Sequence, residues 1–200
     1  RLQAALTVGA DIRYRGVQPR FNRYDIRFLQ WLRRTGRTPD VLTEDDLEAM
    51  PSGSELRRRY DLIAFPGHTE YVTEHAYDVV ERFRDQGGRL IFLSANNFFW
   101  KVRRRGRSIR RVALWRDLAR PEARLIGVQY RGNDGGGAQG VYYVLGADRA
   151  PWLFAGTGLR NFSRLGDVVG GYGIEIDGTT KDSPPGTQVL AIVPSLLGPG

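Results

Sequence analysis

Asp61-Leu62-Ile63-Ala64-Phe65-Pro66-Gly67 is an apolar run of strand length stopped by a Pro-Gly break. Further on, Gly87-Gly88-Arg89-Leu90-Ile91-Phe92-Leu93 repeats the pattern after a glycine pair. Between them, Thr73 to Gln86 has a helical period. Ala76, Val79, Val80 and Phe83 share one face, and Glu74, Asp78, Glu81, Arg82 and Asp85 the other. Strand, helix, glycine stop and strand make a βαβ unit, and near-continuous apolar strands predict a parallel sheet buried on both faces.

Outward from this unit, Asn22 and Asp25 have the spacing of a helix start. Ile26, Leu29 and Leu32 follow on one face, and Gly36 ends the helix. Leu2–Val8 and Val41–Leu42 read as strands, Thr43-Glu44-Asp45-Asp46 as a further helix start, and 50–54 as a turn. Trp100–Arg111 packs seven basic residues around a Gly106 turn, which predicts an exposed hairpin. Beyond it, Arg124–Tyr130, Val141–Leu145, Trp152–Phe154, Tyr172–Ile176 and Gln188–Val193 read as short strands.

The 200 residues suffice for one α/β domain with a real core, with an insertion at about 100–150. The ends predict a piece of a longer protein with an upstream domain. There is no cysteine, which removes disulfides, thiolate metal sites and cysteine nucleophiles. Two histidines cannot make a three-histidine metal site. The net charge of +8 comes from 30 basic residues, of which only Lys101 and Lys181 are lysine. That bias suits an Arg-rich exposed arm better than a nucleic-acid site, since the arm lacks an interleaved stacking platform beyond Trp100 and Trp115. No apolar run reaches the roughly 18–20 residues of a membrane helix. Gly-x-Gly-x-x-Gly, the phosphate-loop motif and the Gly-x-Ser-x-Gly elbow are all missing.

In an open parallel sheet, ligands bind outside the carboxyl ends of the strands. His68, Glu70 and Tyr71 follow the first strand, and Asn96, Asn97 and Trp100 follow the second. An imidazole beside a carboxylate can move protons near neutral pH, and asparagine amides can hold an oxyanion. Capping is the alternative role for His68, Asn96 and Asn97. Glu175 and Asp177 alternate with Ile174 and Ile176, so on a strand they share a face. Glu175 is then a candidate acid or base, or part of a solvated edge. His75 reads as a surface or packing residue.

Several segments together resemble one family. They are Tyr24–Leu32, Gly67–Tyr71, Gly87–Leu90, Ser94–Trp100, Trp115–Asp117 and Gly173–Asp177. They resemble the C-terminal domain of the N,N-dimethylformamidase large (beta) subunit and its bacterial relatives, over about Phe21 to Val193. The resemblance implies a flavodoxin-like sandwich similar to class I glutamine amidotransferases, with a mostly parallel central sheet and an inserted basic β-arm. It also implies amide C–N hydrolysis of a small-molecule substrate at iron held by two tyrosines and a glutamate.

On this chain the resemblance puts the metal-binding glutamate at Glu70, with His68, Glu70, Asn96 and Glu175 as the catalytic set. Tyr71, Asn97 and Trp100 are then substrate-binding. One tyrosine ligand falls upstream of Arg1 and the other near Phe21–Tyr24, where Tyr24 or Tyr14 can supply the phenolate. Expected partners are the upstream domain and further copies of the chain. The compartment, bacterial cytoplasm or secreted, is left open, with no signal segment in this chain. A non-catalytic binding or structural module of the same fold is the alternative function.

Overall fold

The structure is a computed structural model. It describes residues 25–106, 108–133, 135, 140–168, 170–171 and 174–194. The predicted strand at 2–8, and Tyr14, Phe21, Asn22 and Tyr24, lie outside the described residues. The chain divides into two compact units, residues 1–115 and 116–200.

In the first unit, α1 (Asp25–Arg34) is followed by α2 (Glu44–Ala49) and α3 (Gly53–Arg59). Thr43 starts α2 with a full capping box: its hydroxyl accepts from Asp46 N–H, and the Asp46 carboxylate accepts from Thr43 N–H. The 50–54 segment, expected to be a turn, instead opens α3, because the Ser52 hydroxyl accepts from Glu55 N–H and caps it. Val41–Leu42 joins no strand.

The deciding stretch folds as read. β1 (Leu62–Phe65) and β3 (Arg89–Phe92) pair in parallel, Leu62 opposite Arg89 through Phe65 opposite Phe92. Between them runs α4 (Glu74–Asp85), capped by the Thr73 hydroxyl. It buries Ala76, Val79, Val80 and Phe83 as expected, and Tyr77 besides. Gly87 stops it at φ +84°, where a side chain would be strained. Met50, Leu56, Val79 and Phe83 form a core against which Ile63 and Leu90 pack.

The expectation that both faces of these strands are buried is corrected. Leu62, Ile91 and Leu93 are 48, 40 and 52% exposed among the described residues. A two-stranded sheet offers its second face to the core only if another layer covers it, and this face has none among them.

A second sheet orders β2 (Tyr71–Thr73), β4 (Trp100–Arg105) and β5 (Ser108–Leu114). β2 and β4 are parallel, and β4 and β5 form the expected antiparallel hairpin. An aromatic cluster joins the two sheets. The Phe65 and Phe92 rings stack at 4.7 Å, and Phe98 stands edge-on to both. Tyr77 links Phe98 to the buried Trp115.

The second unit holds α5 (Glu122–Ile126), β6 (Gln129–Asn133), β7 (Tyr142–Val144), α6 (Pro151–Phe154), β8 (Arg164–Leu165), β9 (Glu175–Gly178) and β10 (Ala191–Ile192). β6 pairs antiparallel with β9, and the other three order β10-β7-β8. Two strand expectations are corrected. Arg124–Ile126 is helical, with the strand starting at Gln129, and Trp152–Phe154 is a helix turn. Pro151 opens its helix turn at the first helical position, where proline's fixed φ is preorganised, and Pro121 stands just before Glu122 as the extended cap residue. The architecture of the described residues is mixed α/β in four small sheets, some parallel.

Candidate functional site

The parallel register of β1 and β3 puts their carboxyl ends side by side, so the segments leaving them must share space. They are bonded to each other. Leu93 N–H donates to Phe65 O at 3.1 Å and the Ser94 hydroxyl to Gly67 O at 2.7 Å. Asn97 closes the join, with Oδ1 accepting from Thr69 N–H at 3.2 Å and Nδ2 donating to Ser94 O at 2.5 Å. Phe98 N–H donates to Thr69 O at 2.7 Å and Trp100 N–H to Glu70 O at 2.8 Å.

This weave holds the candidate residues. His68 Nδ1 lies 3.6 Å from Glu70 Oε2, and the two side chains are only 16 and 13% exposed. That separation is an ion-pair distance for a protonated imidazole, and longer than a hydrogen bond. Asn96 and Phe98 both take left-handed backbone, at φ 58° and 55°. The alternation turns the chain sharply enough to bury Asn96, Asn97 and Phe98 together. Asn tolerates this conformation, whereas a buried Phe does so only when packing over-determines it. Phe65, Phe92 and Tyr77 supply that packing.

The first unit therefore brings His68, Glu70, Asn96 and Asn97 to one end of the β1–β3 pair. Both ends of the Asn97 amide are committed to the join. Tyr71 and Trp100 sit opposite each other in the β2–β4 register, Tyr71 exposed and Trp100 half-buried. The Arg111 guanidinium covers the Trp100 ring at 4.9 Å. Glu175 lies in the second unit on β9, half-buried and opposite Asn133. His75 is a bystander, its Nε2 2.8 Å from Met50 O.

Asp25 is a residue the sequence reading missed. The first residue of α1, it lays its carboxylate against Gly67, beside His68. A Cβ on Gly67 would stand 3.0 Å from Asp25 Cγ and closer still to Oδ1. Burial, and after it the charge of Glu44, raise the Asp25 carboxyl above the ordinary range, against a smaller opposite pull from its own backbone N–H. The signals were Gly67 itself and an acid at the start of a helix.

Glu70 is an oxygen donor of the kind a hard metal takes. Among the described residues, no three His, Cys, Asp or Glu side chains group to hold a metal. Tyr24 is outside them, so the described residues do not complete an iron site.

Comparison with known proteins agrees with the motifs. The chain is 38% identical over 78 residues to the N,N-dimethylformamidase beta subunit of an Alcaligenes species. It is 37% identical over 78 residues to that of Paracoccus aminophilus. Each match covers 39% of this chain and 10% of the relative's length. The model of the family "N,N-dimethylformamidase beta subunit-like, C-terminal" matches residues 5–196. With nearly its whole length inside that match, the chain belongs to the N,N-dimethylformamidase beta subunit-like C-terminal family.

Proposed function

We propose that this domain carries a hydrolytic site for the C–N bond of a small amide, on a flavodoxin-like, class I glutamine amidotransferase-like scaffold. The relatives it matches are named as N,N-dimethylformamidase beta subunits, and the proposal carries that activity to this chain. One observation carries the reading. The exits of two neighbouring parallel strands are bonded together and bring an imidazole, a carboxylate and a buried asparagine to one place. The βαβ unit and the site at its carboxyl end support the scaffold.

The chemistry assigns a role to each side chain. His68 takes a proton from water as the water oxygen bonds to the amide carbon. The carbonyl electron pair moves onto oxygen, where the Asn96 amide donates. As the tetrahedral adduct collapses, the C–N bond breaks and His68 returns the proton to the amine nitrogen. Glu70 orients the imidazole and balances its positive charge, and the 3.6 Å gap closes when substrate excludes water. Asn97 holds the two loops in register for this. Tyr71 and Trp100 form a wall for the substrate. With no cysteine in the chain, none of its residues supplies a thiol nucleophile.

Iron is the group the resemblance implies, with Glu70 and Tyr24 as the residues proposed to hold it. The proton steps above run on the chain's own side chains. Release of amine from a panel of small amides, dimethylformamide included, tests the function. An Asn96→Ala variant should lose turnover. A chain that binds these amides without ever releasing amine is a binding module, and the proposal fails.

A further inference from the structure

The β4–β5 hairpin has two unlike faces. Residues directly opposite in the ladder share a face, which puts Trp100, Val102, Arg104, Ile109, Arg111 and Leu114 on one side. That side is tied down: Arg104 bonds Asp45 of α2, Arg111 covers the Trp100 ring, and Val102 is buried. The other side carries Arg103 directly opposite Arg110, with Arg105 two residues along β4 and opposite Ser108. All three arginines are exposed, and among the described residues none has an ion-pair partner. Like charges directly opposite each other destabilise a hairpin, so this face is not explained by the hairpin's own stability. β2 pairs only with Trp100–Val102, so the distal half of the hairpin is a two-stranded ribbon. Its outer strand, β5, has no neighbour on its far edge among the described residues.

An open edge recruits strands, and charge decides which. Arginines beside it repel a second copy of this basic edge. They admit an extended segment bearing carboxylates at alternate positions, because residues two apart on a strand stand about 6.6–6.8 Å apart on one face. That is also the spacing along β4 from Arg103 to Arg105. Guanidinium groups take carboxylates in two-pronged bonds, which lysine cannot do. The face holds no aromatic ring on which nucleic-acid bases could stack. The geometry points to the distal β4–β5 ribbon as a docking edge for an acidic strand of another polypeptide, added to β5 with its carboxylates on Arg103, Arg105 and Arg110.

Two blocked peptides of equal composition and charge test this on the isotope-labelled chain by NMR titration. One alternates glutamate with valine and the other groups its glutamates at one end. The alternating peptide should bind more tightly, slow amide exchange along β5, and weaken steeply with added salt. Arg103→Glu, Arg105→Glu and Arg110→Glu together should weaken it by about tenfold or more. The same triple change to Gln serves if charge reversal unfolds the chain. Charge reversal at Arg27, Arg34 and Arg37 on and after α1 should leave most of the binding. Equal binding of both peptides overturns the proposal, as do absent binding and equal losses in the two triple variants. A short DNA duplex that shifts the same resonances when the alternating peptide does not would assign the ribbon to nucleic acid and overturn it too.

Discussion

The Asp25 carboxylate fills the space where a Cβ on Gly67 would stand, so the first residue of α1 seats the loop that carries His68 and Glu70. Gly67→Ala forces a methyl into that carboxylate and should lower the thermal midpoint. Asp25→Ala in the same chain vacates the space and should restore part of the loss. A double-mutant cycle measures the coupling. Simple additivity of the two changes would mean that the contact does not exist.

The same carboxylate makes stability depend on pH in a defined direction. Its folded pKa is raised from 3.8, so between that value and the raised one the folded chain holds more proton than the unfolded chain. Stability therefore falls as pH rises through that window. Asp25→Asn does not titrate, so its stability relative to the original chain should climb across the window and then level off. Thermal midpoints measured against pH check this, and a flat difference refutes it.

In the second unit, Glu122 is fully buried and held by Arg116 through Nε and Nη2. Arg116→Met leaves a buried carboxylate without that cation, which should cost about 3–5 kcal/mol. Adding Glu122→Leu should recover most of it, because replacing both members of a buried pair by apolar groups is often neutral. Urea denaturation of the single and double variants decides the matter. Equal destabilisation by both would show that the pair has no such role.

Phe98 tests the packing under the site. It is fully buried among Phe65, Phe92 and Tyr77, in a backbone conformation that bulky residues avoid. Phe98→Ala should cost about 3–5 kcal/mol. It should also slacken the adjacent Asn96 and Asn97, seen as faster amide exchange at Thr69. An unchanged exchange rate at Thr69 would separate the aromatic cluster from the site.

Local chemistry was legible in the sequence and distant contacts were not. The β1–α4–β3 unit could be read because burial repeats at a fixed period and Gly87 marks the stop. The basic hairpin could be read from its charges and Gly106. Arg124–Ile126 and Trp152–Phe154 misled because short apolar runs carry no period, so the prolines before them had to decide. That His68, Glu70, Asn96 and Asn97 lie at one end of the strand pair could be read because strand ends in a βαβ unit are where loops meet. The commitment of Asn97 to Thr69 and Ser94, and the seat of Asp25 on Gly67, depend on how separate segments pack. No spacing in the chain encodes either of them.

The central claim is that His68, oriented by Glu70, moves the proton in amide hydrolysis. The most direct measurement is kcat/KM for dimethylformamide with the original protein, His68→Ala and Glu70→Gln, each checked for an unchanged thermal midpoint. The account predicts a loss of about 10²–10⁴-fold in His68→Ala, and a smaller loss in Glu70→Gln with a shifted pH profile. Full turnover in a folded His68→Ala protein would contradict it.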